Sequence, residues 1–193
     1  MKTSILIASA AALTALSISG CATISEDQCL AGNWAERGYT DGARGVSRGR
    51  LVDYADTCAK YAVSPDNRAY IDNYEAGLRT YCTYERGFAR GKNGDNYNQV
   101  CSGELARDFA PGYDEGRVIY EIYKEHKRLI NVYEDTHEQL VDVRLRLKNP
   151  DLPDDEYKRL NKKKRRLDKR REDLRIDIRA HERVHDLPRY DFR

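Results

Sequence analysis

Cysteine disappears from this sequence after residue 101, and no two cysteines stand in a C-x-x-C spacing. That missing spacing argues against an ordinary structural zinc site. Long apolar runs are also lacking: the longest, from Ile5 to Ile18, is interrupted by Ser and Thr and falls short of the ~20 residues a spanning helix needs. Neither sign of charge dominates, the formal balance being +2, so no global electrostatic partner is implied. No Ser-His-Asp set or paired-carboxylate site follows from spacing. The nearest approach to a phosphate loop, "GFARGKN" (Gly87 to Asn93), is one residue short and has Asn93 where Ser or Thr would bind magnesium. With 34% of the residues charged, any compact core is modest.

What is present begins at the amino terminus. Lys2 supplies a positive start, Ile5 to Ile18 an apolar stretch, and small residues close it, the layout of an export signal. The closing residues Ile18-Ser19-Gly20-Cys21 resemble the lipobox of bacterial lipoproteins. The resemblance implies that the Cys21 thiol is diacylglycerylated, that residues 1–20 are removed, and that the new amino group is acylated. One acyl chain binds a membrane marginally, whereas two or more, at ~0.8 kcal/mol per buried CH₂, hold a polar body durably. Ala22 rather than Asp follows the cysteine, which for such signals implies delivery to the outer membrane, on its periplasmic face. Residues 21–28 then form a lipidated linker.

Cys29, Cys58, Cys82 and Cys101 remain, an even number for an oxidising compartment. Two disulfides are expected, each worth ~3 kcal/mol, mainly by restricting the unfolded chain. Helices expected near 33–62 and 66–90, with Ser64-Pro65-Asp66 as the cap between them, form an antiparallel pair. Along one straight helix Cys29 and Cys58 would lie ~40 Å apart, beyond the reach of a disulfide. Of the three connectivities, Cys29 with Cys101 and Cys58 with Cys82 strains such a pair least.

Residues 29–111 are rich in Gly, Tyr and Cys and repeat a short pattern, an aromatic, two variable residues and then Gly. The copies are "GYTDGARG" (Gly38 to Gly45), "NYEAGLR" (Asn73 to Arg79), "GFARGKNG" (Gly87 to Gly94) and "GYDEGRV" (Gly112 to Val118). Gly38, Gly42, Gly45 and Gly49 fall at helical spacing, as do Tyr70, Tyr74, Gly77, Tyr81 and Tyr84. Glycine within a helix costs ~1 kcal/mol relative to Ala, so a stripe of glycines predicts the close approach of another helix. The alternative is that they punctuate turns. Trp34, "GYTDGARG", Cys58, "YEAGLRTYC", "RGFARGKNGDNYNQVC" and "GYDEG" together resemble a family of proteobacterial lipoproteins carrying domain of unknown function 2799. The resemblance spans roughly Cys29 to Gly116. It implies an exported lipoprotein and supplies no activity.

Residues 112–193 are dominated by Lys, Arg, Glu and Leu. Ile119, Tyr123, Ile130, Tyr133, Leu140 and Leu147 fall at helical spacing, "NPDLPDDE" (Asn149 to Glu156) stops the helix, and Tyr157, Leu160, Leu167, Leu174 and Ile178 resume it in heptads. The pattern predicts a coiled-coil-like antiparallel hairpin with arms of ~50 Å. Its second arm carries Lys158, Arg159, Lys162, Lys163, Lys164, Arg165, Arg166, Lys169, Arg170 and Arg171 against a single acid, Asp168. The run is either a solvated face balanced by Glu134, Asp135, Glu138 and Asp142 on the first arm, or a surface for an anionic partner. The last helix holds His181-Glu182-Arg183-Val184-His185, formally H-E-x-x-H, in which two histidines one turn apart can share a zinc ion while the Glu polarises its water. Arg183 within it, the want of a third histidine after it and the heptad position of His126, His137, His181 and His185 favour packing instead; a non-catalytic site would add His126 to His181.

The expectation is an all-α chain: a disulfide-braced helical domain over 29–111 and a charged helical hairpin over 112–193. Its function is that of a non-enzymatic scaffold or adaptor, anchored in the outer membrane at Cys21, with no cofactor. Its partners are the membrane, and an anionic envelope surface or a partner helix; nucleic acid is not among them. The competing expectation is a zinc hydrolase built on His181, Glu182 and His185. The specific activity is not written in the residues.

Overall fold

The computed structural model describes residues 24–192; Cys21 and the signal stretch lie outside them. Among the described residues every regular element is helical: α1 (Glu26–Ala31), α2 (Trp34–Ala43), α3 (Arg50–Cys58) followed by a 3₁₀ turn (Ala59–Tyr61), α4 (Asn67–Tyr81), α5 (Tyr84–Lys92), α6 (Glu104–Arg146) and α7 (Asp154–His185). The all-α expectation holds. These residues form two compact units divided between Gly77 and Leu78.

In the first unit the sequence marks its own helix ends. Ser25 and Gln28 cap α1 reciprocally, the Ser25 hydroxyl accepting from the Gln28 N–H and the Gln28 side chain accepting from the Ser25 N–H. The single helix expected over 33–62 is interrupted. Gly45 takes a left-handed φ of 68°, open to glycine at little steric cost, and the chain turns before Gly49 opens α3. Asp66, rather than Ser64, caps α4 by accepting from the Ala69 N–H.

That interruption corrects the expected disulfides. With α2 and α3 separated by a turn, Cys58 returns to Cys29 at a Cα–Cα distance of 5.5 Å. In the second unit Cys82 pairs with Cys101 at 5.7 Å. The expected pairing of Cys29 with Cys101 and Cys58 with Cys82 rests on a straight helix, and the turn at Gly45 removes that premise.

The second unit contains α5, α6 and α7. Thr83 ends the helix expected over 66–90 by capping α5, its hydroxyl accepting from the Arg86 N–H. The boundary expected at Pro111 and Gly112 is not a break, since α6 runs through it. Pro111 and Arg107, whose carbonyl loses its usual partner to the proline, are both exposed residues of the helix. α6 is 43 residues and α7 32, and they pack antiparallel. Their seam has two clusters, Leu140, Val143, Leu160 and Leu167 near the turn and Leu129, Tyr133, Leu174 and Ile178 farther along. Tyr123 and Tyr157, expected on the seam, are exposed.

The glycines explain the first half. A Cβ placed on Gly38 would overlap the backbone of Tyr70, and one on Gly77 the backbone of Tyr39 and Ala43, so α2 and α4 touch main chain to main chain. In the second unit Gly87 and Gly91 meet the backbone of Phe109 and Tyr113, while Gly112 and Gly116 meet that of Tyr84 and Phe88. The recurring motifs are therefore two halves of one contact, used twice. Gly38 and Gly77 in the first pair correspond in register to Gly87 and Gly116 in the second. Gly45 corresponds to Gly94, which also has a left-handed φ, 75°. Tyr74 donates its hydroxyl to the Val46 carbonyl at 2.7 Å, and Tyr113 donates to the equivalent carbonyl, that of Asp95, at 2.9 Å. Gly45 and Gly49 lie outside the helical stripe expected of them; Gly38 does not.

Candidate functional site

Each glycine-bound helix pair closes over aromatic rings. In the first unit Trp34, Tyr54, Tyr70 and Tyr74 form a ladder with successive centroids 6.4, 6.2 and 5.9 Å apart. Asp41 is buried against it, and its Oδ2 accepts from the hydroxyls of Tyr54 and Tyr70, each at 2.9 Å. Burial and then the Asp41 hydrogen bond push the Tyr70 phenol far above its ordinary range. These hydroxyls are held as protonated donors and do not act as bases. In the second unit the positions of Asp41 and Tyr70 are taken by Arg90 and Phe109. The acceptor and one hydroxyl have gone together, and Arg90 instead pairs with Asp95 at 3.1 Å.

Residues 33–118 match the model of a family described as "Protein of unknown function (DUF2799)". Residues 33–118 form a DUF2799 domain. Both glycine-bound helix pairs and three of the four disulfide cysteines, Cys58, Cys82 and Cys101, lie within it, while Cys29 precedes it and α7 follows it. No curated protein and no solved structure matches the chain.

Beyond the DUF2799 domain, the H-E-x-x-H histidines and Glu182 lie at the far end of the α6–α7 hairpin. His126 on α6 and His181 on α7 stack with centroids 5.9 Å apart, and His181 lies 4.5 Å from His185, which is exposed. The His181 Nε2–H donates to the Ile122 carbonyl at 3.0 Å. Glu182 is only 3% exposed. Its Oε1 accepts from the Tyr190 backbone N–H at 2.6 Å and lies 3.4 Å from His126 Nε2, while Oε2 accepts from Arg179 at 2.7 Å. Burial alone would raise this carboxyl, but the Tyr190 N–H, Arg179 and His126 outweigh it and hold it below its ordinary value. Glu182 thus clamps the tail that follows α7: Leu187 is buried, the Tyr190 hydroxyl donates to Glu134, and the Phe192 ring packs 4.9 Å from Tyr133 under Arg179. Among the described residues no group of three or more His, Cys, Asp and Glu is arranged to hold a metal ion. His137 stacks on Tyr133 and takes no part in the cluster.

The basic run lies on α7 beside the turn. Leu160 and Leu167 face α6. On one flank Asp168, the single acid, pairs with Arg144 at 3.0 Å and Lys164 at 3.1 Å; burial opposes this, but Lys164 leads the cations that hold its carboxyl below the ordinary range. Lys158, Lys162, Arg165 and Lys169 occupy a stripe at spacings of four, three and four, and Arg159, Lys163, Arg166 and Arg170 a second stripe beside it. All eight are exposed. Arg159 pairs with Asp155 at 3.2 Å; the other seven form no ion pair among the described residues. Arg171 turns to the flank, half-buried. Glu134, Asp135, Glu138 and Asp142 of the first arm form no ion pair with the run among the described residues. Cys21, the expected lipidation site, lies outside the described residues.

The basic run, the cysteines and the H-E-x-x-H spacing are legible in the sequence, whereas the Asp41 cluster and the Glu182 clamp are not. Asp41 sits at a variable position of a glycine motif, and the partner of Glu182 that holds the tail is a backbone N–H, which leaves no mark in a sequence.

Proposed function

We propose that this chain is a lipoprotein of the bacterial envelope, acylated at Cys21, held on the periplasmic face of the outer membrane, and acting there as a non-enzymatic adaptor. The observation that carries the reading is the lipobox-like Ile18-Ser19-Gly20-Cys21 ahead of a body whose other four cysteines are paired. Disulfides belong to oxidising compartments, and a thin, polar fold gains most from them. No described helix is long and apolar enough to cross a membrane, so attachment in this reading is through the acyl chains alone.

The adaptor role is supported by how the polar side chains are used. Asp41, Tyr54 and Tyr70 satisfy one another inside the DUF2799 domain, and Glu182 is occupied by three partners. In the basic run of α7 seven exposed cations form no ion pair among the described residues, a surface suited to meeting negative charge. Replacing Cys21 with Ala in the producing cell is the test. The reading predicts that the protein leaves the membrane fraction while keeping both disulfides; retention of Cys21→Ala in that fraction, by a route that detergent but not salt reverses, contradicts it.

A further inference from the structure

We propose that the two cationic stripes of α7 dock on the headgroup surface of an anionic phospholipid bilayer, the helix lying along the surface without entering it. The proposal deepens the anchored-adaptor reading and rests on it for the presence of a membrane.

The first stripe runs from Lys158 to Lys169, twelve residues and ~16 Å of helix from first to last. Acidic residues bound it, Asp154, Asp155 and Glu156 before and Glu172 and Asp173 after. No apolar side chain lies among the cations on this face, because Leu160 and Leu167 are turned into the seam with Leu140 and Val143. A helix that enters the headgroup–acyl boundary needs an apolar face to bury, and the apolar face of α7 is already covered by α6. A protein partner of ordinary kind would meet aromatic or aliphatic anchors at the centre of the contact, where lysine is depleted. The face offers neither. It presents dense positive charge, seven of its eight cations without an ion pair among the described residues, on a helix already folded and backed by a second one, so binding a charged surface carries no cost of forming the helix. The attraction to anionic lipid accumulates with each basic residue near the surface and is screened by salt.

The test uses the full mature chain carrying Cys21→Ser, so that no acyl chain contributes, and its co-sedimentation with vesicles. The proposal predicts binding to vesicles containing phosphatidylglycerol, none to phosphatidylcholine alone, and release as salt is raised. Lys162→Glu, Arg165→Glu and Lys169→Glu together lower the partition about tenfold or more, and the same three changed to Gln lower it less. Three exposed cations elsewhere, Arg68, Arg107 and Lys148, changed to Glu leave it within about twofold. All the altered positions are exposed, and circular dichroism checks that the helices persist. Equal binding to neutral vesicles, no binding to anionic ones, or binding untouched by the triple reversal overturns the proposal; an acidic protein as the true occupant would leave pure lipid unbound and overturns it as well. Loss of acylation at Cys21 in the cell with vesicle binding intact would sink the anchored reading and leave this surface standing.

Discussion

The Tyr70 hydroxyl donates to the Asp41 carboxylate across 2.9 Å in a buried site, and in the second helix pair the same two positions hold Phe109 and Arg90. The loss of the acceptor and the loss of the donor accompany each other. A buried carboxylate without donors is costly, and so is a buried hydroxyl without an acceptor.

Single changes at this pair should therefore be worse than combined ones. Tyr70→Phe leaves Asp41 with Tyr54 alone and should cost about 1–3 kcal/mol. Asp41→Leu strands two hydroxyls and should cost more. Adding Tyr54→Phe and Tyr70→Phe to Asp41→Leu should recover much of that loss, because every partner is then apolar. Denaturant unfolding of the four proteins measures this. Additive losses would mean that the hydrogen bonds do not hold the site.

The glycines of the helix crossings differ in kind from those in turns. Gly87→Ala or Gly116→Ala places a methyl group into the backbone of the opposing helix, and should cost about 1–3 kcal/mol or more, since main chain yields less readily than a side chain. Gly49→Ala meets only the Ser47 hydroxyl, at 3.5 Å, from a φ of −57°. It should be neutral or gain about 0.4–1 kcal/mol. Thermal unfolding that ranks Gly49→Ala with Gly87→Ala would contradict the close crossing.

Glu182 predicts an acid limit for the tail. Its carboxyl lies below the ordinary range when folded, so its contribution is present above the unfolded value of ~4.3 and fades as pH falls through the folded value. Glu182→Gln should be less stable than wild type near neutrality, with the gap closing below about pH 4. Asp168 is shifted the same way but is common to both proteins and cancels. Unfolding followed from neutral to acid pH decides; a constant gap means that the charge of Glu182 is not what pins Tyr190.

Much of the hairpin was legible because a helix writes its buried face at a fixed period: Leu140, Leu160, Leu167, Leu174 and Ile178 are all in the seam. The disulfide pairing is not legible for a related reason. Spacings of three and four serve equally for a helical stripe and for a helix that stops at Gly45 and restarts at Gly49, and only the left-handed φ of Gly45 separates the two. The recurring glycine motifs were visible, but not that the first pairs with the second and the third with the fourth, since pairing is a contact across space. The H-E-x-x-H spacing was equally visible. Its Glu faces Arg179, His126 and a tail N–H, and a helical register alone does not say which face meets another element.

The central claim is a chain fixed to a membrane by acyl groups on its twenty-first residue. Intact mass and amino-terminal peptide mass of the protein isolated from its own cells test it most directly. The account predicts a mature chain beginning at Cys21, heavier than its sequence by the attached acyl groups and lighter by the hydrogens lost in two disulfides. An amino terminus at or near Cys21 bearing no acyl group, or a chain that keeps residues 1–20, would contradict it.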